Sequence, residues 1–177
     1  VIIDFCGIKT TFLPKFNPLA VKVCGLNKIN DQIGNGSMGA WGIHTFEDDH
    51  SLDWLNDLAD QEQPARFFAE CLDLEDDDEL EYMGCTGVWC TAVMIDGLLN
   101  GPTKDLPEPA REWLDSHNKV RVMRLLPAAI AGLERLLDPS SELTALWMEN
   151  EELYPKWRRG IVSLRNRLKK SGQKDKS

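Results

Sequence analysis

Catalytic signatures are missing from this sequence. It has no Gly-x-Ser-x-Gly elbow, no His-Glu-x-x-His helix and no phosphate loop ending in Gly-Lys-Ser/Thr. A hydrolase nucleophile, a zincin centre and a nucleotide-binding loop are therefore not expected. Histidine is scarce, with only His44, His50 and His117. The five cysteines, Cys6, Cys24, Cys71, Cys85 and Cys90, form no Cys-x-x-Cys pair. An odd count without that spacing argues against a disulfide framework and for a reducing compartment. The opening Val1-Ile2-Ile3-Asp4 lacks a basic segment followed by an apolar one, so no secretory signal is read. No apolar run is expected to approach the length of a membrane span. Together these absences predict a cytoplasmic protein. Strand patterns are equally sparse: only Val1-Ile2-Ile3 and residues 20–23 suggest them, too little for a sheet.

What is present is charge, unevenly spread. Of the 177 residues, 42% are apolar and 28% charged, enough for one domain with a proper core. The net charge is −9. Residues 1–37 carry four lysines and two aspartates, net +2. Residues 38–155 carry 26 acidic and seven basic residues, net −19. Residues 156–177 carry nine basic residues and one acid, net +8. Such a body should repel nucleic acid and anionic membranes, so neither is an expected partner. The basic end is expected to dock as a helix on the acidic body.

Residues 1–37 hold neither helical nor strand periodicity for long, being interrupted by Pro14, Pro18, Gly7, Gly25, Gly34 and Gly36. They read as an unstructured leader, as from a gene start placed too early, with Met38 beginning the domain. From there the pattern is helical. Glu47-Asp48-Asp49 places carboxylates at the start of a first helix over 50–60, with Leu52, Leu55, Leu58 and Ala59 on one face and Trp54 at its edge. Pro64 opens a second helix burying Phe67, Phe68, Cys71 and Leu72. The five acids Glu75-Asp76-Asp77-Asp78-Glu79 repel one another and read as a loop. A third helix begins near Glu79 or Gly84, stops at Gly101-Pro102 and presents one face of Cys85, Val88, Trp89, Ala92, Val93 and Leu99. Its glycines Gly84, Gly87 and Gly97 suit close helix contacts.

A short fourth helix after Pro107 turns Ala110, Trp113 and Leu114 inward. A fifth spans 119–137 with a kink or break at Pro127. Asp138-Pro139 reads as the cap and first residue of a sixth, carrying Leu143, Leu146 and Trp147. The seventh starts at Pro155. Its stripe Trp157, Ile161, Leu164 and Leu168 follows i, i+4, i+7, i+11, and residues 171–177 are expected to fray. The expected fold is all-α: a compact array of six to seven helices in a single domain, residues 38–170, behind a disordered N-terminal extension.

Chemistry is sought first in the turn before the first helix. His44, Glu47, Asp49 and His50 are metal-capable, and Glu47-x-x-His50 has the spacing of a carboxylate-bundle site. That site needs a second Glu-x-x-His on a facing helix, and the chain has none. An acidic helix cap with solvated histidines is the favoured reading. Cys71, Cys85, Cys90 and His117 make a zinc set only on paper, because each cysteine lies in an apolar stripe. No catalytic residue, metal or cofactor is expected. Six tryptophans are many for this length. Five lie on helical stripes and are expected in the core, while Trp41, between glycines, is expected to cover it. Trp41, Asp49, Asp53 and Trp54 stand out as a structural or interaction motif.

Residues 38–168 resemble the domain-of-unknown-function 4259 family, mostly bacterial and uncharacterised. The resemblance rests on Met38-Gly39-Ala40-Trp41-Gly42, Phe46 with Asp49, and Asp53-Trp54. It continues through Leu98-Leu99-Asn100-Gly101, Leu106-Pro107, Glu142-Leu143 with Trp147, and Trp157 with Leu164 and Leu168. It departs at His44 and His50, positions not usually histidine in the family, and at Val93, where a glutamate is typical. The resemblance implies a small helical domain and no activity. The function expected is a non-enzymatic interaction module whose acidic body engages a basic protein, as an immunity protein blocks a toxin. The alternative is a metal- or ligand-dependent enzyme built on the His44–His50 turn.

Overall fold

The computed structural model describes residues 42–74 and 80–174. The leader, the Met38-to-Trp41 segment with its tryptophan, the acidic run 75–79 and residues 175–177 lie outside the described residues. Among the described residues there are seven α-helices, one 3-10 turn and no strand, as the all-α expectation requires. The helices are α1 (Asp49–Ala59), α2 (Pro64–Leu72), α3 (Tyr82–Asn100), α4 (Glu108–Ser116), α5 (Leu126–Leu136), α6 (Glu142–Met148) and α7 (Tyr154–Lys174).

The organising element is α3. Its nineteen residues include a single charged side chain, Asp96, and twelve of them are buried. A helix apolar on all sides must be covered on all sides. Here α1, α2, α4, α5, α6 and α7 all pack against it. The one-faced reading of this helix is therefore corrected: Val93 and Leu99, placed on its inner face from sequence, are only half-buried, while Cys90, Met94 and Ile95 are fully enclosed. The expectation about apolar runs is corrected too. This helix is long and apolar enough to cross a membrane, but most of it is buried inside the domain, as in the core helix of a globular array.

The expected stripes of α4 and α7 are found; on α2 Phe68 and Leu72 are buried as expected while Phe67 and Cys71 are only half-buried, and all five described tryptophans are buried. Trp157 lies at the centre of an aromatic cluster, stacked on Trp147 with centroids 5.5 Å apart and edge-on to Trp89 at 6.1 Å.

Four boundaries or faces differ from the sequence reading, each for a local reason. On α1 the inner face is Ser51, Trp54, Leu55 and Leu58, with Leu52 and Ala59 outside. Ser51 tolerates burial because its hydroxyl bonds the N-cap Asp48 at both the backbone oxygen and Oδ2, each 2.9 Å. Pro127 does not kink a long helix. It lies in the first turn of α5, where its missing N–H costs nothing, and a 3-10 turn, Met123–Leu125, precedes it. Asp138 caps no helix; its Oδ1 accepts from the Ser140 amide (2.9 Å) and hydroxyl (2.7 Å) in a turn. The cap of α6 is Ser141 instead, three residues later, which leaves Leu146 exposed. Finally, α7 does not fray at Ser171. That residue is buried and α7 continues to Lys174.

Two close approaches tighten the array. A Cβ on Gly132 of α5 would come within 2.9 Å of Val88 Cγ1 on α3, and one on Gly97 would come within 2.6 Å of Leu114 Cδ1 on α4. Gly132→Ala is expected to destabilise the protein by about 1 kcal/mol, because overpacking of about 1–3 kcal/mol outweighs a helix-propensity gain of about 1. In a Val88→Ala background the same change should become neutral or stabilising. Urea unfolding of the four-member cycle checks this, and an equal penalty in both backgrounds would rule out the contact as its cause.

Candidate functional site

The turn before α1 is built for helix initiation. Asp48 is the N-cap, its Oδ1 accepting from the Ser51 amide at 3.0 Å. Glu47 folds back so that its Oε2 accepts from the His44 amide at 2.8 Å. Phe46 takes a left-handed conformation, φ 69°, which costs an L-residue about 1–2 kcal/mol. The strain is offset by burying its ring beside Trp54, centroids 6.3 Å apart.

The metal-capable residues of this turn diverge. His44 Nδ1 lies 3.8 Å from Asp105 on the segment preceding α4, whereas the His50 ring meets the edge of Tyr82 at 5.4 Å on α3. Glu47 serves the backbone and Asp49 is exposed in the first turn of α1. Among the described residues no group of three or more His, Cys, Asp or Glu side chains is placed to hold a metal. The described cysteines are free thiols: Cys85 and Cys90 are buried in α3, and the half-buried Cys71 accepts from Trp54 Nε1 at 3.4 Å. Burial pushes all three thiols up, so they stay protonated and unreactive.

Asp53 and Trp54, adjacent in sequence, separate in function. Trp54 enters the core, parallel to Phe68 and tilted against Phe67. Asp53 points out with Asp57 and Asp60, and none of the three forms an ion pair with a described residue. Partial burial first, then the charges of Asp53 and Asp60, push the Asp57 carboxyl above its usual range. The repulsion on this face of α1 is thus left standing.

The basic helix α7 docks on the body, as expected from the charge pattern, but through a buried pair that sequence reasoning missed. Arg167 Nε donates to Asp96 Oδ2 at 2.8 Å; the Asp96 side chain is 3% exposed and that of Arg167 40%. Asn100 Nδ2 donates to Asp96 Oδ1 (2.9 Å) and to Ser171 Oγ (2.9 Å), extending the network along both helices. Further along, Lys169 donates to Glu134 Oε1 at 2.8 Å and Arg165 lies 3.8 Å away; the Lys169 bond leads in holding that carboxyl below its usual range. The signal for Asp96 was present in the sequence as the lone charge in an apolar helix, since a buried charge requires a partner.

Beside this pair a cleft of about 210 Å3 opens between α3, α7 and the segments holding His44 and Asp105. Trp89, Val93, Leu106, Ile161 and Leu164 line it with apolar groups, and its polar groups are Arg167, Ser163 and Asp96 together with His44, Thr45, Thr103 and Asp105. Val93 lines the cleft one turn from Asp96.

Among known proteins, the family described as Domain of unknown function (DUF4259) matches residues 39–160. No curated protein and no solved structure matches the chain.

Two outcomes are expected from this geometry. Arg167→Ala should cost about 3–5 kcal/mol because it strands a buried carboxylate, and Asp96→Ala should cost less because Arg167 reaches water. Urea unfolding at pH 7 checks the order, and a reversed order would show that Arg167 gains little from solvent. For Asp57, a folded-state pKa above the unfolded one means the native state binds the proton more tightly. Ionisation therefore destabilises the fold above the raised pKa and has no effect below the unfolded value near about 3.9. Asp57→Asn should accordingly raise stability at pH 7 by a few tenths, roughly, of a kcal/mol, and this gain should vanish at acid pH in thermal melts.

Proposed function

The chain belongs to the domain-of-unknown-function 4259 family, and we propose that it works there as a non-enzymatic interaction module whose acidic face engages a basic protein, in the manner of an immunity protein on its toxin. The observation that carries this reading is the outer face of α1. Asp53, Asp57 and Asp60 stand there without an ion pair among the described residues, and the Asp57 carboxyl is raised by partial burial first and then by the charges of Asp53 and Asp60. A fold gains nothing from such a stripe, whereas a cationic partner relieves the repulsion on contact. The long-range field has the same sign: residues 38–155 carry net −19, which steers basic proteins inward and repels nucleic acid and anionic lipid. The free, buried thiols suit a cytoplasmic setting.

The experiment compares the full chain with its Asp53→Asn/Asp57→Asn/Asp60→Asn variant. Each is used to capture proteins from a lysate of the source organism, and association rates are then measured with the basic protein retained. The variant should associate at least about tenfold more slowly at low salt, with the difference closing near 0.5 M salt, roughly, where screening is complete. Equal rates for both forms at every ionic strength would reject the reading.

A further inference from the structure

The acidic face of α1 makes no use of the cleft beside Arg167, and the chemistry there differs. A guanidinium has five N–H donors in a planar fork. Arg167 is fixed through one edge, Nε on Asp96 Oδ2 at 2.8 Å, and through Nη1 on Ser163 Oγ at 3.2 Å. Its remaining donors, both of those on Nη2 included, have no described protein partner. They belong to a side chain 40% exposed that lines a cavity of about 210 Å3. Asp96 cannot neutralise a ligand in addition: it is buried, and its two oxygens already accept from Arg167 and Asn100. A guanidinium immobilised on one edge and open on the other matches the two oxygens of a carboxylate. Val93, half-buried, and the edge of Trp89 give the neighbouring wall its apolar surface, over the buried Leu106, Ile161 and Leu164. Although the chain is acidic overall, residues 156–177 carry net +8, so the field of α7 itself favours an anion.

We propose that this cleft binds a small organic carboxylate, its two oxygens held by the free edge of Arg167 and its apolar body lying along Val93 and the outer edge of Trp89. The ligand is non-covalent, and no reaction is assigned. Gly160 provides the control. It lines the cleft from α7, and a Cβ there would meet nothing within 4 Å, so a large side chain can fill the space without disturbing the core.

The test titrates the full chain with acetate, 4-methylpentanoate and 3-phenylpropanoate, and with 3-methylbutylamine and 2-phenylethylamine as cationic counterparts. Calorimetry and tryptophan fluorescence report binding, the latter because Trp89 and Trp157 line the cleft. The two larger carboxylates should bind in the millimolar range or better, acetate more weakly and the amines not at all. Arg167→Lys keeps the charge but loses the fork, and should weaken carboxylate binding at least about tenfold. Gly160→Phe should abolish it while leaving the circular dichroism spectrum and thermal midpoint near those of the parent. The proposal is overturned if no carboxylate binds by about 10 mM, if the amines bind as well, or if Gly160→Phe, folded, binds like the parent. Because Asp53, Asp57 and Asp60 are untouched throughout, this outcome is independent of the partner reading.

Discussion

Asp96 is the one charged residue on a helix that is otherwise apolar on every side, and burying it obliges the chain to bring it a cation. The last helix does so. Arg167 reaches Asp96 only if α7 lies along α3, and that placement also sets Trp157, Ile161, Leu164 and Leu168 into the core. The ion pair therefore fixes a register that the apolar stripe alone leaves free to slide. Asn100 and Ser171 repeat the same argument one turn further on, with a mutual hydrogen bond at 2.9 Å, and so hold α7 in helix past Ser171, where the sequence suggests fraying. A second polar clasp works at the other end of α3: Glu142 of α6 accepts from the Tyr82 amide at 2.6 Å, satisfying a donor at the start of a helix that has no side-chain cap of its own.

The elements legible from sequence are those in which apolar spacing and a single unambiguous terminator agree. α2 after Pro64, α4 after Pro107 and the stripe of α7 meet that condition. Where one residue supports two readings, the sequence leaves the choice to tertiary context. Pro127 both breaks and begins helices, and the 3-10 turn ahead of it makes it a beginning. Asp138 and Ser141 are both good caps, and Ser141 prevails because its hydroxyl can also donate to the Leu136 carbonyl at 2.6 Å. On α1, periodicity favoured Leu52 over Ser51 as an inner residue. It could not register that hydrogen bonds to Asp48 remove the penalty of burying a hydroxyl.

The candidate site was less legible than the fold, and the reason is geometric. Residues close in sequence, His44 to His50, invite a single site, but the helix start between them turns the two rings toward different elements. Residues 71 positions apart, Asp96 and Arg167, form the only ion pair with a buried member among the described residues, and no local spacing announces them. Composition contains a trace of the pair, one acid amid apolar residues and a helix rich in arginine, yet it does not say which arginine is chosen.

The two charge systems of this molecule obey different physics, which keeps them separable. The α1 carboxylates are exposed, so their mutual repulsion is weak at contact and screened by salt beyond about 8–10 Å; exposed charges of this kind act on the rate of encounter with charged molecules. Asp96 is shielded from solvent, so its interaction with Arg167 is local, resists salt and acts on shape. Neutralising the outer face leaves the inner pair intact, and occupying the cleft leaves the outer field nearly unchanged. A protein with this division can retain an acidic surface and a separate, structurally anchored arginine beside a cleft, with neither compromising the other.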